Sequence, residues 1–356
     1  MGIAQRGKRP TSGDVARVAG VSRTTVSYVL NDVPVMIPEE TRARVRAAVA
    51  ELGYHPHEAA RSLRSQASRI IGLAIPEATN AHHQDTADGV EAYARDQGYS
   101  VFRSITNFQL TEERRCFQWL RERRFDALIL SSGLGSALLD DMEALLTQGA
   151  VITGLGFDDP RIDAVRQEPV SGERQVLRHL ADLGHRRIGY IYGVADQDVY
   201  RARLDTCLEI QRALGLPVSD DWIRRCGPTL DDGYQASRAL LSTCVRGEGP
   251  TALVAVNDLV AGAVLAALHA VGIAVPGEMS VISFDNTSLS AYTVPPLTTV
   301  DCEARAMGAR AARLTIERLA DPARAPVHLE TRARLVVRGS TGPATADRSP
   351  NSGERG

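Results

Sequence analysis

Residues 14–31, DVARVAGVSRTTVSYVLN, decide the fold of the first part of this chain, because their spacing predicts two helices joined by a tight turn. Ala16 must be small where the second helix crosses the first, Gly20 must take the left-handed backbone of the turn, and Val26 must be apolar to hold the helices together. Ser22 stands where a helix N-cap belongs. The pattern predicts a helix-turn-helix whose short second helix fits the major groove of DNA.

The second helix is predicted from about Arg23 to Leu30, with its polar side chains on one face. Side chains on that face, together with the residues that flank the helix, are the candidates for contact with DNA: Ser22, Arg23, Thr24, Thr25, Ser27, Tyr28 and Asn31. An ordinary helical hairpin is the alternative interpretation of this stretch taken alone.

A third helix is predicted between Pro38 and Gly53, because proline suits a first turn and glycine commonly ends a helix. Two glutamates after the proline favour the positive end of the helix dipole. Its apolar residues recur at helical spacing and would cover the first two helices. We therefore expect a three-helix head over residues 1–54.

Charge is distributed unevenly along the chain. The whole chain of 356 residues has a formal net charge of −2. Residues 1–69 contain eleven Lys or Arg against six Asp or Glu, a local charge of +5, which leaves −7 for the remainder. A basic head and an acidic body are typical of a DNA-binding module joined to a domain that does not bind DNA.

The cysteines and the apolar stretches restrict the class of protein. Five cysteines are scattered without a C-x-x-C pair, which argues against a disulfide framework or a zinc site and for a reducing cytoplasm. The N-terminus has no apolar core of a signal peptide, and the most apolar stretch, 251–276, is interrupted by polar residues. We expect a cytoplasmic protein with no contact with a membrane.

From Ile70 onward, apolar strands alternate with amphipathic helices. The predicted strands are 69–75, 99–105, 126–130, 150–155, 187–192, 252–256 and 279–284. The predicted helices include 111–124, 171–183, 231–245 and 258–271. This alternation predicts an α/β body of two doubly wound parallel-sheet subdomains over residues 70–340. Residues 55–69 are predicted to be a linker, and 341–356 a disordered polar tail.

Six stretches occur in an order that resembles the lactose/galactose repressor family of bacterial transcriptional regulators, whose body is similar to periplasmic sugar-binding proteins. They are TSGDVARVAGVSRTTVSYVLN (11–31), ELGYHPHEAARSLR (51–64), LGHRRIGYI (183–191), VAVNDLVAGAVLAAL (254–268), VPGEMSVISFDN (275–286) and PPLTTV (295–300). The resemblance covers residues 11–340 and implies a helix-turn-helix head, a hinge and a two-lobed effector-binding and dimerisation domain.

The resemblance implies that the linker folds into a short hinge helix only on operator DNA. Leu63 matches the leucine that wedges into the minor groove, and His57 and Ala60 are further candidates for hinge contacts. An isolated helix of this length is unstable in water. An inserted leucine would unstack base steps, and the wider contact with bent DNA would offset that cost. Many family members have asparagine where this chain has His57. A spacer role is the alternative for Leu63.

Open parallel sheets bind ligands at the carboxyl ends of their strands, which is where two of the candidates lie. Asn257 follows the strand ALVAV, with Asp258 next to it, and Asp285 ends the strand VISF. By resemblance, Arg203 and Asp285 match positions that hydrogen-bond polar effector groups, and Asn257 is a third contact. A carboxylate and a guanidinium suit a polyol or a purine. The alternatives are a surface salt bridge for Arg203 and a helix cap for Asp285.

The chain departs from the family at two places in the predicted crevice. Relatives often have aromatic residues where this chain has His82 and His83, and a stacking ring near the position of Pro228. Loss of these surfaces argues against an ordinary hexose. The two histidines are expected to hydrogen-bond the ligand or to titrate near neutral pH. Solvated loop histidines are the alternative, and neither has partners at metal-ligand spacing.

Together these patterns predict a transcriptional repressor that binds palindromic double-stranded operator DNA under the control of a small-molecule effector, expected to be a carbohydrate. A homodimer is expected, since tetramers of this family need a leucine-repeat helix and residues 341–356 contain no leucine. No catalytic motif, cofactor or metal is predicted, so an enzyme is not expected. A transport binding protein is not expected either, because its function does not require a DNA-binding head. The alternative is an activator, or a regulator answering a non-sugar ligand or a protein partner.

Overall fold

The computed structural model describes residues 10–30, 33–54, 67–132, 135–157, 159–168, 170–193, 198–244 and 249–344. The chain divides into two compact units, Met1–Ser68 and Arg69–Gly356. Four candidate DNA contacts lie outside the described residues: Asn31, His57, Ala60 and Leu63.

Three helices form the described part of the first unit: α1 (Ser12–Ala19), α2 (Arg23–Leu30) and α3 (Glu39–Leu52). Thr11 and Asp14 form a reciprocal capping box at the start of α1, which satisfies free amides of its first turn. The helices enclose a small apolar core, so the predicted three-helix head is confirmed.

The turn between α1 and α2 has the geometry that the sequence predicts. Gly20 has a φ of +65°, and Val26 is buried between the helices. The hydroxyl of Ser22 accepts a hydrogen bond from the backbone N–H of Thr25 at 3.0 Å. The N-cap assigned to Ser22 is therefore confirmed.

The described part of the second unit is built from strands and helices in alternation. The strands are β1 (Ile70–Ile75), β2 (Ser100–Ile105), β3 (Ala127–Ser131), β4 (Val151–Leu155), β5 (Asp163–Gln167), β6 (Ile188–Tyr192), β7 (Ile223–Arg225), β8 (Ala252–Ala255), β9 (Ser280–Asp285), β10 (Thr298–Asp301), β11 (His328–Thr331) and β12 (Arg334–Val336). The helices are α4 (Ala81–Asp96), α5 (Leu110–Arg121), α6 (Leu139–Leu146), α7 (Ser171–Asp182), α8 (Asp198–Ala213), α9 (Leu230–Cys244), α10 (Asp258–Ala270) and α11 (Ala304–Ala320). Short 3₁₀ turns occur at Gly135–Leu138, Asp220–Trp222 and Ser288–Ala291.

The strands form two six-stranded sheets with matching connectivity, one in each lobe. The first has the order β11-β5-β4-β3-β1-β2 and the second β12-β10-β9-β8-β6-β7. The direction of winding reverses between β1 and β3 in the first sheet and between β6 and β8 in the second, and such switch points open a crevice at the carboxyl ends. The predicted pair of doubly wound subdomains is confirmed, except that β12 runs antiparallel to β10.

Sequence patterns identify the seven most apolar strands but miss β5, β7, β10, β11 and β12. These five strands are three to five residues long. β7, β11 and β12 lie at a sheet edge, and β5 and β10 lie next to one. An edge strand is covered on fewer sides, so its residues can be polar and give no continuous apolar run.

The polar tail begins later than its composition predicts. Thr341 lies 2.9 Å from the Nε2 atom of His179, and the N–H of Gly342 donates to the hydroxyl of Ser280 at 3.1 Å. The N–H of Ala344 donates to the carbonyl of Leu183 at 2.8 Å. The body therefore extends through Ala344, and the expectation of disorder from residue 341 is wrong for these first residues.

Helices α4 and α11 pack with their backbones in contact. A Cβ atom on Gly308 would lie 1.9 Å from the carbonyl oxygen of Thr86, and one on Gly89 would lie 2.0 Å from that of Arg305. Although α11 follows β10 of the second sheet, it packs on α4, β3, β4 and β5 of the first, so this contact lies within the first lobe.

Gly308→Ala is expected to lower the free energy of unfolding by about 1–3 kcal/mol, because a backbone atom must move to admit the methyl group. Gly262→Ala is the matched control in α10, where a Cβ atom meets nothing within 4 Å. That change should raise stability by about 0.5–1 kcal/mol, the usual preference of a helix for alanine. Chemical denaturation of both variants measures the two effects, and equal changes would contradict the close contact.

Candidate functional site

Side chains from both lobes surround a cavity of about 400 Å³ at the carboxyl ends of the strands. All five candidate effector contacts line it: His82, His83, Arg203, Asn257 and Asp285. They come from distant parts of the sequence, on α4, α8 and the ends of β8 and β9. Their role as ligand contacts remains a prediction.

Arg203 is held in place by four neighbours from different elements. Its guanidinium donates to Glu173 at 3.3 Å, to the carbonyl of Val256 at 3.1 Å and to the side chain of Gln167 at 3.3 Å. It also lies 4.3 Å from the ring centroid of Phe284. The side chain is only 14% exposed, so the alternative of a surface salt bridge is wrong.

Asp285 ends β9 in a strained conformation, with a φ of +111°. It caps no helix, so that alternative is wrong. One carboxylate oxygen lies 3.4 Å from His82 Nδ1, and the other is buried without a hydrogen-bond partner among the described residues. Burial raises the pKa of Asp285 well above its ordinary value, and the nearby Asp258 carboxylate raises it further. The Arg203 guanidinium opposes this rise, although its own ion pair is with Glu173.

The two histidines lie in the first turn of α4, where Asn80 caps the helix by accepting the N–H of His82 at 3.0 Å. Burial, and then the charge of Arg203, lowers the pKa of His82 to about 4. Burial, and then His82, lowers the pKa of His83 to about 3. Both rings are therefore neutral near pH 7, and the expectations of solvated loop histidines or titration near neutrality are wrong.

Asn257 and Asp258 follow the same strand but have different surroundings. The side chain of Asn257 caps α10 by accepting the N–H of Val260 at 2.8 Å, and it also lines the cavity. Asp258 accepts hydrogen bonds from the hydroxyls of Ser283 and Thr299, each at 2.6 Å, and from Thr287. Asp258 thus stabilises the second sheet and does not line the cavity.

Two aromatic residues that sequence reasoning missed also line the cavity. Phe108 lies in the turn after β2 with a φ of +56°, and Tyr200 lies in the first turn of α8. Pro228, by contrast, lines only a small space adjoining the cavity, together with Tyr200. Aromatic rings therefore line the cavity at positions other than 82, 83 and 228, so the expectation that a ring-shaped ligand lacks stacking surfaces is wrong.

The outer face of α2 is only partly as predicted. Ser22, Arg23 and Thr24 are exposed, whereas Thr25, Ser27 and Tyr28 are half-buried. The N-terminal end of this helix is therefore its most accessible part, and contacts to DNA at these positions remain predictions.

In the described ranges, no three His, Cys, Asp or Glu side chains are grouped as metal ligands would be. The described helices include none whose length and apolar character would allow it to span a membrane.

Comparisons with known proteins agree with this architecture. Residues 12–57 match the family described as bacterial regulatory proteins, lacI family, and residues 177–341 match the periplasmic binding protein-like domain. The chain is 32% identical over 331 residues to the HTH-type transcriptional repressor PurR of Photobacterium profundum, covering 93% of this chain and 98% of that relative.

Two solved structures are similar over almost the whole chain. The lac repressor dimer bound to operator and the anti-inducer ONPF has a TM-score of 0.83 at 26% identity, covering 94% of this chain and all of that one. The transcriptional regulator CelR in complex with cellobiose has a TM-score of 0.70 at 28% identity, with 93% of this chain covered.

A helix-turn-helix head joined to a periplasmic-binding-protein-like body of two lobes defines a class of DNA-binding transcriptional regulators. The chain belongs to the lacI family of bacterial regulatory proteins. The family resemblance found in the sequence is thereby confirmed.

Proposed function

We propose that this protein is a transcriptional repressor that binds palindromic operator DNA as a homodimer and responds to a small polar effector in the cavity between its lobes. The observation that carries the proposal is the convergence of His82, His83, Arg203, Asn257 and Asp285 from both lobes on one cavity. Relatives named as transcriptional repressors support repression rather than catalysis. The proposal places the protein in the cytoplasm with its operator and requires no cofactor.

The mechanism is an equilibrium between two states. Effector binding closes the cavity and changes the angle between the two N-terminal lobes of the dimer. This change moves the hinges apart, so that the hinge helices melt and operator affinity falls. The coupling is reciprocal, which means that operator DNA must weaken effector binding by the same factor. In the alternative, the effector is a corepressor, and its binding raises operator affinity through the same two states.

A carbohydrate or carbohydrate-like molecule is the effector class that we propose. The cavity volume of about 400 Å³ lies within the usual range for small-molecule sites. The structural relative CelR is described in complex with cellobiose. A purine base is the second candidate, because the rings of Phe108 and Tyr200 offer flat surfaces to a planar ligand.

The test combines operator selection with a ligand screen on the full-length protein. Operator sequences are selected from random DNA, and the affinity for the best one is measured with and without neutral sugars, amino sugars and purine bases. The proposal requires a palindromic consensus and at least one compound that both raises the melting temperature and changes operator affinity. Sedimentation should show a dimer.

Arg23→Ala is expected to weaken binding to the best operator by about 1–3 kcal/mol and to relax one position of its consensus. Arg23 is exposed at the start of α2, where a guanidinium can pair with the two acceptors of guanine. Arg46→Ala, which removes the same charge from an exposed position on α3, should leave the consensus unchanged. Equal weakening of Arg23→Ala on every sequence would make Arg23 a phosphate contact.

A further inference from the structure

Carboxylates outnumber guanidiniums around the cavity. The charged residues that line it or the adjoining space are Arg166, Arg203, Glu77, Glu168, Glu173 and Asp285. Both guanidiniums already have carboxylate partners, Arg203 in Glu173 at 3.3 Å and Arg166 in Glu330 at 2.8 Å. Among the described residues, no guanidinium lies within ion-pair distance of the three carboxylates that remain. More carboxyl groups than guanidiniums therefore line the cavity or the adjoining space, and burial raises the pKa of two of these carboxyl groups, Asp285 and Glu77.

Asp285 is the member of this group that lines the cavity with a buried carboxyl oxygen lacking a partner among the described residues. It is 9% exposed, and its Oδ2 atom is buried without a hydrogen-bond partner among the described residues. A buried acceptor without a donor is costly, so the site favours a ligand that supplies one. His82, the closest ring, is neutral near pH 7 and cannot balance the charge. Asp258, the next carboxylate, is occupied by hydroxyl donors.

The remaining surroundings also favour a cation. The face of an aromatic ring attracts positive charge, and both Phe108 and Tyr200 line the cavity. Glu77 lies on the same side, where its carboxylate is buried and 4.0 Å from His83 Nε2. A neutral polyol could satisfy the hydrogen bonds of Asp285, but only a cation also compensates the charge of its ionised carboxylate.

We propose that the effector carries a protonated amine that pairs with the free carboxylate oxygen of Asp285, as an amino sugar would. This inference rests on the proposed function, since it specifies the ligand of the same cavity. Charge-assisted hydrogen bonds are stronger than neutral ones, so an amino sugar should bind at least about tenfold more tightly than its acetylated form.

Binding of a protonated amine to Asp285 should depend on pH. Burial and the neighbouring Asp258 and Glu77 carboxylates raise the pKa of Asp285, while Arg203 and the Asn80 amide oppose the rise. Tyr200 and Cys302 also face this carboxyl group, and burial keeps both of them protonated. A protonated amine pairs with the ionised carboxylate and so displaces its proton. Affinity should therefore increase with pH through the pKa of Asp285, until the amine itself loses its proton.

The experiment compares glucosamine, glucose and N-acetylglucosamine, and the matching galactose series, at equal concentration and ionic strength. Thermal unfolding and calorimetric titration of the full-length protein report binding. We expect the two amino sugars to raise the melting temperature and to bind at least about tenfold more tightly than their acetylated forms. Asp285→Asn should abolish this preference, whereas Glu209→Gln, an equal charge change at an exposed position on α8, should retain it.

The wild-type comparison decides the matter even if Asp285→Asn does not fold. Equal or tighter binding of the neutral sugars overturns the inference, as does the absence of any shift with the amino sugars. If neutral sugars or purine bases bind and change operator affinity, the proposed function stands and only the charge of the effector is wrong. If no compound of the whole panel changes either the melting temperature or operator affinity, the proposed function fails as well.

Discussion

Replacing Asp163 with alanine is expected to lower the free energy of unfolding by about 3–5 kcal/mol, the usual cost of removing one partner from a buried ion pair. The Asp163 side chain is fully buried, and its two oxygens accept hydrogen bonds from the guanidiniums of both Arg318 and Arg324 at 2.8–3.1 Å. The backbone N–H of Val327 donates to it as well, at 2.8 Å. The substitution would leave two largely buried guanidiniums without their carboxylate.

The matched control for Asp163 is Asp141→Ala. Asp141 pairs with Arg114 at 2.9 Å, but the two side chains are 36% and 52% exposed. Exposed pairs contribute less than about 1 kcal/mol, so this variant should unfold almost as the wild type does. Urea denaturation of both variants gives the comparison. Similar losses for the two variants would contradict a larger contribution from the buried ion pairs of Asp163 than from the exposed pair of Asp141.

Asp285→Ala is expected to abolish the response of the protein to its effector while leaving operator binding intact. A ligand at a hundredfold excess over its dissociation constant stabilises a protein by about 2.7 kcal/mol, and this stabilisation should disappear. The physical reason is that Asp285 lines the cavity, and its Oδ2 atom is a buried acceptor without a hydrogen-bond partner among the described residues. Melting temperature and operator affinity, each with and without effector, measure the result.

Asp301→Ala is the control for this variant, because Asp301 ends the neighbouring strand, in register with Asp285, without lining the cavity. It should respond to the effector as the wild type does. The state that the unresponsive Asp285→Ala variant keeps shows how the effector acts. Permanent repression indicates an inducer, and permanent derepression indicates a corepressor. A normal response by Asp285→Ala would remove the cavity from the mechanism.

Prediction from the sequence succeeded wherever the physical requirement is local. The turn of the head needs a left-handed residue at Gly20, a cap at Ser22 and an apolar residue at Val26, and all three lie within seven residues. The central strands are recognisable for a similar reason, since burial on both faces requires a continuous apolar run such as that of β1 or β8. The order of these elements then determined two doubly wound lobes.

The tertiary structure alone decided the chemistry of the cavity. Whether His82 is solvated or buried depends on elements far along the chain, and so does the state of its proton. The partner of Arg203 is Glu173, thirty residues away, and its ring contact is Phe284. The residues that bury these side chains and hydrogen-bond to them come together only on folding. The sequence therefore does not show which of their atoms already have partners. The sequence by itself thus determined the class of protein and the candidate residues, whereas the folded chain decided their charges, their partners and the acceptor left free for a ligand.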